Sequence, residues 1–303
     1  MASYKRNGTR NVDADDSRKL GVSEENIAFE EAYEDILDRL VRGQDPLDPE
    51  EAARELNEMF TPERVPSNTA FKSEVLDRKY HLYRVATSIV EVAWSQECDT
   101  DDVRARLVNF VEALAGHEQL WNNLCYFGIA MREELDEVFF HKPQGTSQAR
   151  INFASFTARL IARDLFWGLN FPVWELRSTL EEPLPDANTS RIDAYLAIVR
   201  EYIFHAGVKT YNHLRNLERD LPHLDAKEKE KSERIYMAWS LYKEGEGKIF
   251  SVERWHFWKQ RIAELGEQAS PEYRVIATGL VARMNQIEMD TPWDGVVADP
   301  GAA

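Results

Sequence analysis

The stretch Phe250-Ser-Val-Glu-Arg-Trp-His-Phe-Trp-Lys-Gln-Arg-Ile262 sets two tryptophans, a histidine and a phenylalanine among charged residues. Ser251 has the chemistry of a helix N-cap. Behind it Val252, Trp255, Trp258, Ile262 and Leu265 are spaced 3, 3, 4 and 3, which places them on one face of a helix running to Gly266. The spacing therefore assigns both tryptophans to a core. Arg254, Lys259 and Arg261 are expected to leave that face for solvent or for neighbouring carboxylates. His256 is expected at its edge, as a hydrogen-bonded boundary histidine.

The same period recurs outward in both directions. Ser23 precedes Phe29, Tyr33, Ile36, Leu37 and Leu40, and Asp48-Pro49 with Glu51 opens a second helix through Phe60. Phe71 to Gln96 forms a long helical pattern. Thr100 caps a helix that has Asp101 and Asp102 in its first turn, where acids oppose the helix dipole, and that ends at Gly116. Helical patterns continue through residues 118–140 and 148–169. Pro172 opens another up to Pro183, and Ser190 starts a long one through about Asn216. The segment 225–247 reads as one helix, charged at first and then apolar, and Ser270-Pro271 opens the last. No sustained alternation of β-branched residues and no Asn-Gly or Asp-Gly hairpin joins two apolar runs. The expected fold is all-α, an irregular array of about ten or eleven helices around one or two cores. Residues 1–22 read as a disordered leader, 23–290 as a single helical domain with a sub-domain break near 142–147, and 291–303 as a loose tail.

The 303 residues carry a formal charge of −16 with a sequence pI near 5.0, which works against binding nucleic acid or an anionic membrane surface. No window approaches the roughly 18 apolar residues of a spanning helix. The polar start lacks the apolar centre of a signal peptide. Cys98 and Cys125 have no CxxC partner and read as small buried hydrophobes in a reducing compartment. The expectation is a soluble, cytoplasmic protein whose oligomeric state is left open.

Four further segments run in a set order. They are LWNNLCYFGIAMREELDE at 120–137, INFASFTARL at 151–160, LRSTLEE at 176–182 and DAYLAIVREYIFHAG at 193–207. With EGKIFSVERWHFWKQRI at 246–262 they resemble, in that order, a fungal family of helical proteins known as domain of unknown function 3632. The resemblance covers roughly 117–265 and departs from the family pattern at Ile151. It implies a fungal source and an all-helical domain, and it carries over no activity and no catalytic residue.

Signatures of chemistry are sparse. GEGK at 245–248 lacks the strand and spacing of a phosphate loop. There is no GxSxG elbow. His205, His213 and His223 lie eight and ten apart, not at the i, i+4 spacing that shares a zinc, so no metal site and no cofactor is indicated. Asp99, Asp101 and Asp102, and Glu133, Glu134, Asp136 and Glu137, are the nearest candidates for holding Mg²⁺ against a diphosphate in isoprenoid chemistry, and no DDxxD appears. A more specific feature is Asn152, Arg159 and Arg163, spaced 7 and 4. They form one stripe of a helix whose other face carries Phe153, Phe156, Leu160 and Trp167. Glu181, Glu182 and Asp164 are the candidate acids for those arginines. Ile198, Tyr202 and His205 form a second stripe beside Ile192, Leu196, Val199 and Ile203. Asn152, Arg159, Arg163, Tyr202 and His205 are thus the candidate ligand-binding residues, and no catalytic residue is assigned. Two readings follow. One is a helical protein that binds a protein partner or a small molecule. The other is an enzyme of fungal specialised metabolism with an aromatic-lined helical cavity.

Overall fold

In the computed structural model the described residues are 23–42, 45–61, 64–66, 74–95, 98–117, 121, 125–136, 147–184, 188–220, 223–238, 240–243 and 251–291. The expectations for the leader 1–22, for residues 292–303 of the tail and for the side chain of Cys125 lie outside them. The described residues contain helices and no strand, so the fold is all-α. There are twelve helices if Thr189–Asp220 is counted as one rod. The chain divides into two compact units, Met1–Phe156 and Thr157–Ala303, with the division inside a helix. Of the break expected at 142–147 only Ser147 is described.

In the first unit, α1 (Glu24–Val41) is capped by the Ser23 hydroxyl, which accepts the Asn26 N–H, and α2 (Pro49–Met59) is capped by Asp48. Both caps are those expected. α3 is Glu74–Trp94, α4 is Asp101–Ala115 and α5 is Cys125–Asp136. α2 packs on α4, α3 on α5, and α1 on both α2 and α4. The apolar faces of α1 and α4 meet in a core that includes Tyr33, Leu37, Leu40, Leu107, Val111 and Leu114. Phe60 sits edge-on to Phe29 at 5.4 Å and to Trp121 at 5.9 Å.

α6 (Ser147–Ala162) carries the chain from one unit into the other. The described residues of the second unit then form α7 (Asn170–Leu180), the rod α8 and four more helices. α8 begins as Thr189–Glu201, passes through a π-turn, Tyr202–Ala206, and continues as Gly207–Asp220. α9 is Ala226–Tyr236, α10 the single turn Ser240–Lys243, α11 Val252–Gln268 and α12 Pro271–Asp290. The core of this unit is the predicted stripe. Trp255, Trp258, Ile262 and Leu265 pack with Leu176, Leu196, Val199, Ile203, Leu280 and Met284, while Val252 is only half-buried. α11 and α12 form a tight hairpin. A Cβ built on Gly266 would stand 2.6 Å from the Cβ of Ala277, so only glycine lets the two backbones approach this closely.

Two segments differ from their reading in the sequence. Residues 225–247 do not form one helix: α9 stops at Tyr236, because Met237 is extended at φ −46°, ψ 141°. The carbonyls of Ile235, Tyr236 and Met237 accept hydrogen bonds from side chains of other helices instead of continuing the ladder. α7 starts at Asn170, two residues before Pro172. The proline is tolerated there because N–H groups of the first turn have no intrahelical acceptor.

Trp258→Ala or Trp255→Ala is expected to lower stability by about 3–5 kcal/mol in chemical denaturation, the range for truncating a fully buried tryptophan. Gly266→Ala, which forces the α11–α12 hairpin apart, should cost about 1–3 kcal/mol.

Candidate functional site

Asn152 is fully buried in the first unit. Its Oδ1 accepts from Arg104 Nη2 at 2.7 Å and from Gln148 Nε2 at 2.8 Å, and its Nδ2 donates to the Ser95 carbonyl at 2.7 Å. Arg104, nearly as buried, also donates from Nε to the Cys98 carbonyl at 2.8 Å and from Nη2 to the Asp99 carbonyl at 3.1 Å. Together the two side chains bind carbonyls of the connection between α3 and α4, at Ser95, Cys98 and Asp99. Buried polar atoms must find partners somewhere. Here Asn152 finds them within the protein.

A second buried polar group lies in the other unit. Glu181 follows the last residue of α7, and Arg254 stands on the first turn of α11. Both side chains are excluded from solvent. Arg254 grips the carboxylate with both ends, Nε to Oε1 at 2.6 Å and Nη2 to Oε2 at 3.0 Å, the bidentate form that suits guanidinium. Trp258 Nε1 donates to the same Oε1 at 2.7 Å. Arg254 Nη1 donates to the Tyr236 carbonyl at 2.6 Å, and the guanidinium lies 5.4 Å over Trp258 and 5.7 Å over Tyr242. Glu181 also accepts the Leu241 N–H on its main-chain carbonyl. The sequence reading sent Arg254 to solvent or to a neighbouring carboxylate and offered Glu181 to Arg159 and Arg163; the structure takes the carboxylate alternative, pairing Arg254 with Glu181, and buries both. The signal was present: Arg254 stands four residues before Trp258 and eight before Ile262, which puts it on the flank of the tryptophan stripe.

Arg159 is half-buried in the last turn of α6, and Arg163 is exposed just beyond it. The helix closes with Asp164 in the left-handed region at φ 59°. The Leu165 N–H reaches the Leu160 carbonyl at 3.0 Å and the Asp164 N–H the Ile161 carbonyl at 3.2 Å, a Schellman ending with aspartate where glycine is usual. The Asp164 carboxylate then pairs with Lys209 Nζ at 2.5 Å. This pairing ties the end of α6 to α8 one turn past His205. Trp167 was expected on the buried face with Phe153, Phe156 and Leu160. Those three are buried, but the helix has ended before Trp167, which is 76% exposed.

The π-turn of α8 was not foreseen either. One extra residue per turn interrupts the period of 3.6. Tyr202 and Ile203 are buried, Phe204 is turned outward at 46% exposure, and Val208, four residues on, is 38% exposed. His205 is half-buried with Nε2 3.6 Å from the Glu201 carboxylate, which Arg200 also holds at 2.7 Å. Of the five candidate residues, Arg159, Arg163, Tyr202 and His205 thus belong to the second unit, on two elements joined by Asp164–Lys209, while Asn152 belongs to the first.

The remaining titratable groups play other parts. His213 Nε2 is 2.9 Å from the Tyr236 hydroxyl. Burial lowers the histidine to about 4 and raises the tyrosine to about 12, so the pair is neutral near pH 7. Among the acidic candidates, Asp101 and Asp102 sit in the first turn of α4 and face Arg104 at 3.5 Å and Arg106 at 3.1 Å. Glu133 accepts from the Tyr83 hydroxyl. Glu137 and the Asp136 side chain lie outside the described residues, and among the described residues no three His, Cys, Asp or Glu side chains gather around a cation position. No described helix is long and apolar enough to cross a membrane.

Residues 87–262 match the family described as Protein of unknown function (DUF3632). That span contains α4 to α10, the C-terminal part of α3 from Thr87 on and the first two-thirds of α11, including both Glu181 and Arg254. It begins earlier than the resemblance read from the sequence and ends close to it. No curated protein and no solved structure matches the chain.

Removing one partner of the buried pair strands a charge, so Glu181→Gln or Arg254→Met alone should cost about 3–5 kcal/mol, while the double variant Glu181→Leu with Arg254→Met should recover much of that loss. Urea denaturation of the three variants checks the sign of the coupling.

Proposed function

The chain belongs to the DUF3632 family, and from that premise we propose that it works by binding a protein partner. The binding face is the one where the end of α6 meets the π-turn of α8. The observation that carries this reading is the exposure of Trp167, Phe204 and Val208 on two elements that the Asp164–Lys209 pair holds to each other. A tryptophan left at 76% exposure on an anchored turn is the type of side chain that supplies the centre of a protein interface. π-turns are frequent at functional sites, and this one turns Phe204 outward from a rod whose neighbouring residues are buried. Arg159, Arg163 and His205 supply a polar rim, and Tyr202 supports it from beneath. The net charge of −16 supports a protein rather than a nucleic acid as the partner.

The reading predicts a discrete cross-linked protein when p-benzoylphenylalanine replaces Phe204 in cells that naturally express the chain. The same probe at Val275, a still more accessible apolar position on α12, serves as control. The double variant Trp167→Ala with Phe204→Ala should lose that partner while its stability changes by no more than about 0.5 kcal/mol, since the deleted rings are exposed. Cross-linking from position 204 that is no stronger than from 275, or a partner retained by the double variant, would sink the reading.

A further inference from the structure

We propose that α9 is a detachable arm, latched to the second unit at its last residue, Tyr236, and released when His213 takes up a proton. The inference stands apart from the binding face just described. It begins with a helix that buries none of its eleven residues. Lys227, Glu228, Lys229, Glu230 and Lys231 are all exposed, and the Asp225 cap of the first turn is internal to the arm, accepting the Glu228 N–H.

The described hydrogen bonds from the arm to the rest of the unit gather at its C-terminal end. Trp174 Nε1 on α7 donates to the Ile235 carbonyl at 2.7 Å, and Arg254 Nη1 on α11 donates to the Tyr236 carbonyl at 2.6 Å. Arg177 Nη1 donates to the Met237 carbonyl at 3.0 Å. The Tyr236 hydroxyl adds a bond between side chains, 2.9 Å from His213 Nε2, with the rings 5.3 Å apart. Met237 then leaves the helix in an extended conformation, which is where the arm can swing.

His213 is neutral in the latched state, and the ring nitrogen that shares a proton with the Tyr236 hydroxyl is held where burial penalises a charged imidazolium. The charged groups around it are otherwise engaged. Glu218 on α8 takes the Val252 N–H, Arg215 on α8 donates to the Thr291 carbonyl, Arg254 holds Glu181, and Lys259 on α11 holds Glu288 on α12. The lowering of His213 comes from burial alone, with no carboxylate to offset a proton.

A group that is less basic when latched than when released favours the latch fully above its ordinary value of 6.5, and the advantage drains away as the pH falls towards about 4. Taking those two values for the latched and released states, the opening equilibrium rises about 30-fold between pH 7.5 and pH 5. Release would uncover Trp174 and Arg177 on α7.

Hydrogen exchange of the full chain, followed by mass spectrometry and corrected for the intrinsic pH dependence, tests this. Amides of 226–236 should exchange about 30-fold faster at pH 5 than at pH 7.5, those of α12 should not follow, and His213→Gln should abolish the difference. Equal acceleration in α12, or acceleration that survives in His213→Gln, overturns the proposal. An NMR titration of the wild-type chain decides the matter even if the variant fails to fold. A His213 midpoint well below 6 supports the latch, and one at or above 6.5 overturns it.

Discussion

The Glu181–Arg254 pair is the constraint on which the second unit depends, because it fixes the register of α7 against α11 within a core that apolar packing alone would leave free to slide. A carboxylate and a guanidinium with no access to water lose their hydration, and their attraction offsets that loss only when the remaining donors and acceptors are filled. Here they are. Glu181 takes two bonds from Arg254 and one from Trp258, and Arg254 spends a further donor on the end of α9. One ion pair thus sets α7 against α11 and decides where α9 stops. Such a pair contributes little net stability over an apolar equivalent. Its contribution is to register: a hydrophobic contact tolerates sliding, whereas a bidentate pair fed by an indole N–H does not.

The first unit solves an equivalent problem without a buried carboxylate. Arg104 is kept at the ends of α3 and α4 by carbonyl oxygens and by the amide of Asn152 on α6. In both units an arginine reaches into a region where helices end, since helix ends leave carbonyls unpaired and guanidinium can serve several at once. Arg104, Asn152, Glu181 and Arg254 are therefore spent on ending and joining helices. Large apolar side chains left exposed include Trp167 on the turn after α6 and Phe204 and Val208 on α8.

Most of the architecture was legible in the sequence because it rests on local rules. Ser23, Asp48, Thr100 and Ser251 all cap helices where the spacing placed them, and the 3, 3, 4, 3 stripe of α11 puts both tryptophans in the core. Features set by distant residues were not legible. Nothing within 225–247 says that its carbonyls at 235–237 will be claimed by Trp174, Arg177 and Arg254. Asn152 and Arg159 do share a helical stripe, but the sequence cannot show that the helix passes from one unit into the next between them. For Arg254 a neighbouring carboxylate was foreseen as one of two destinations, but not its burial, although its i+4 relation to Trp258 pointed inward.

Trp167 shows the converse failure, in which a stripe was carried past the end of its helix. A stripe argument holds only while the helix lasts, and α6 ends at Ala162, before its last presumed core residue. The ending needs Asp164 in a left-handed conformation that most side chains avoid. The Lys209 ammonium accompanies that conformation by holding the carboxylate in place. On α8 the core face made by Ile192, Leu196, Val199 and Ile203 continues through Ala206, Thr210 and Leu214, and Phe204 and Val208 lie off it, within and just beyond the π-turn. Both exposed aromatics thus stand where regular helix geometry is interrupted. Such interruptions lower the fit of a helix to its core, so they stabilise nothing by themselves. Their persistence at two adjoining elements of one unit is the physical reason for reading this face as the working surface of the protein rather than as an imperfection of its packing.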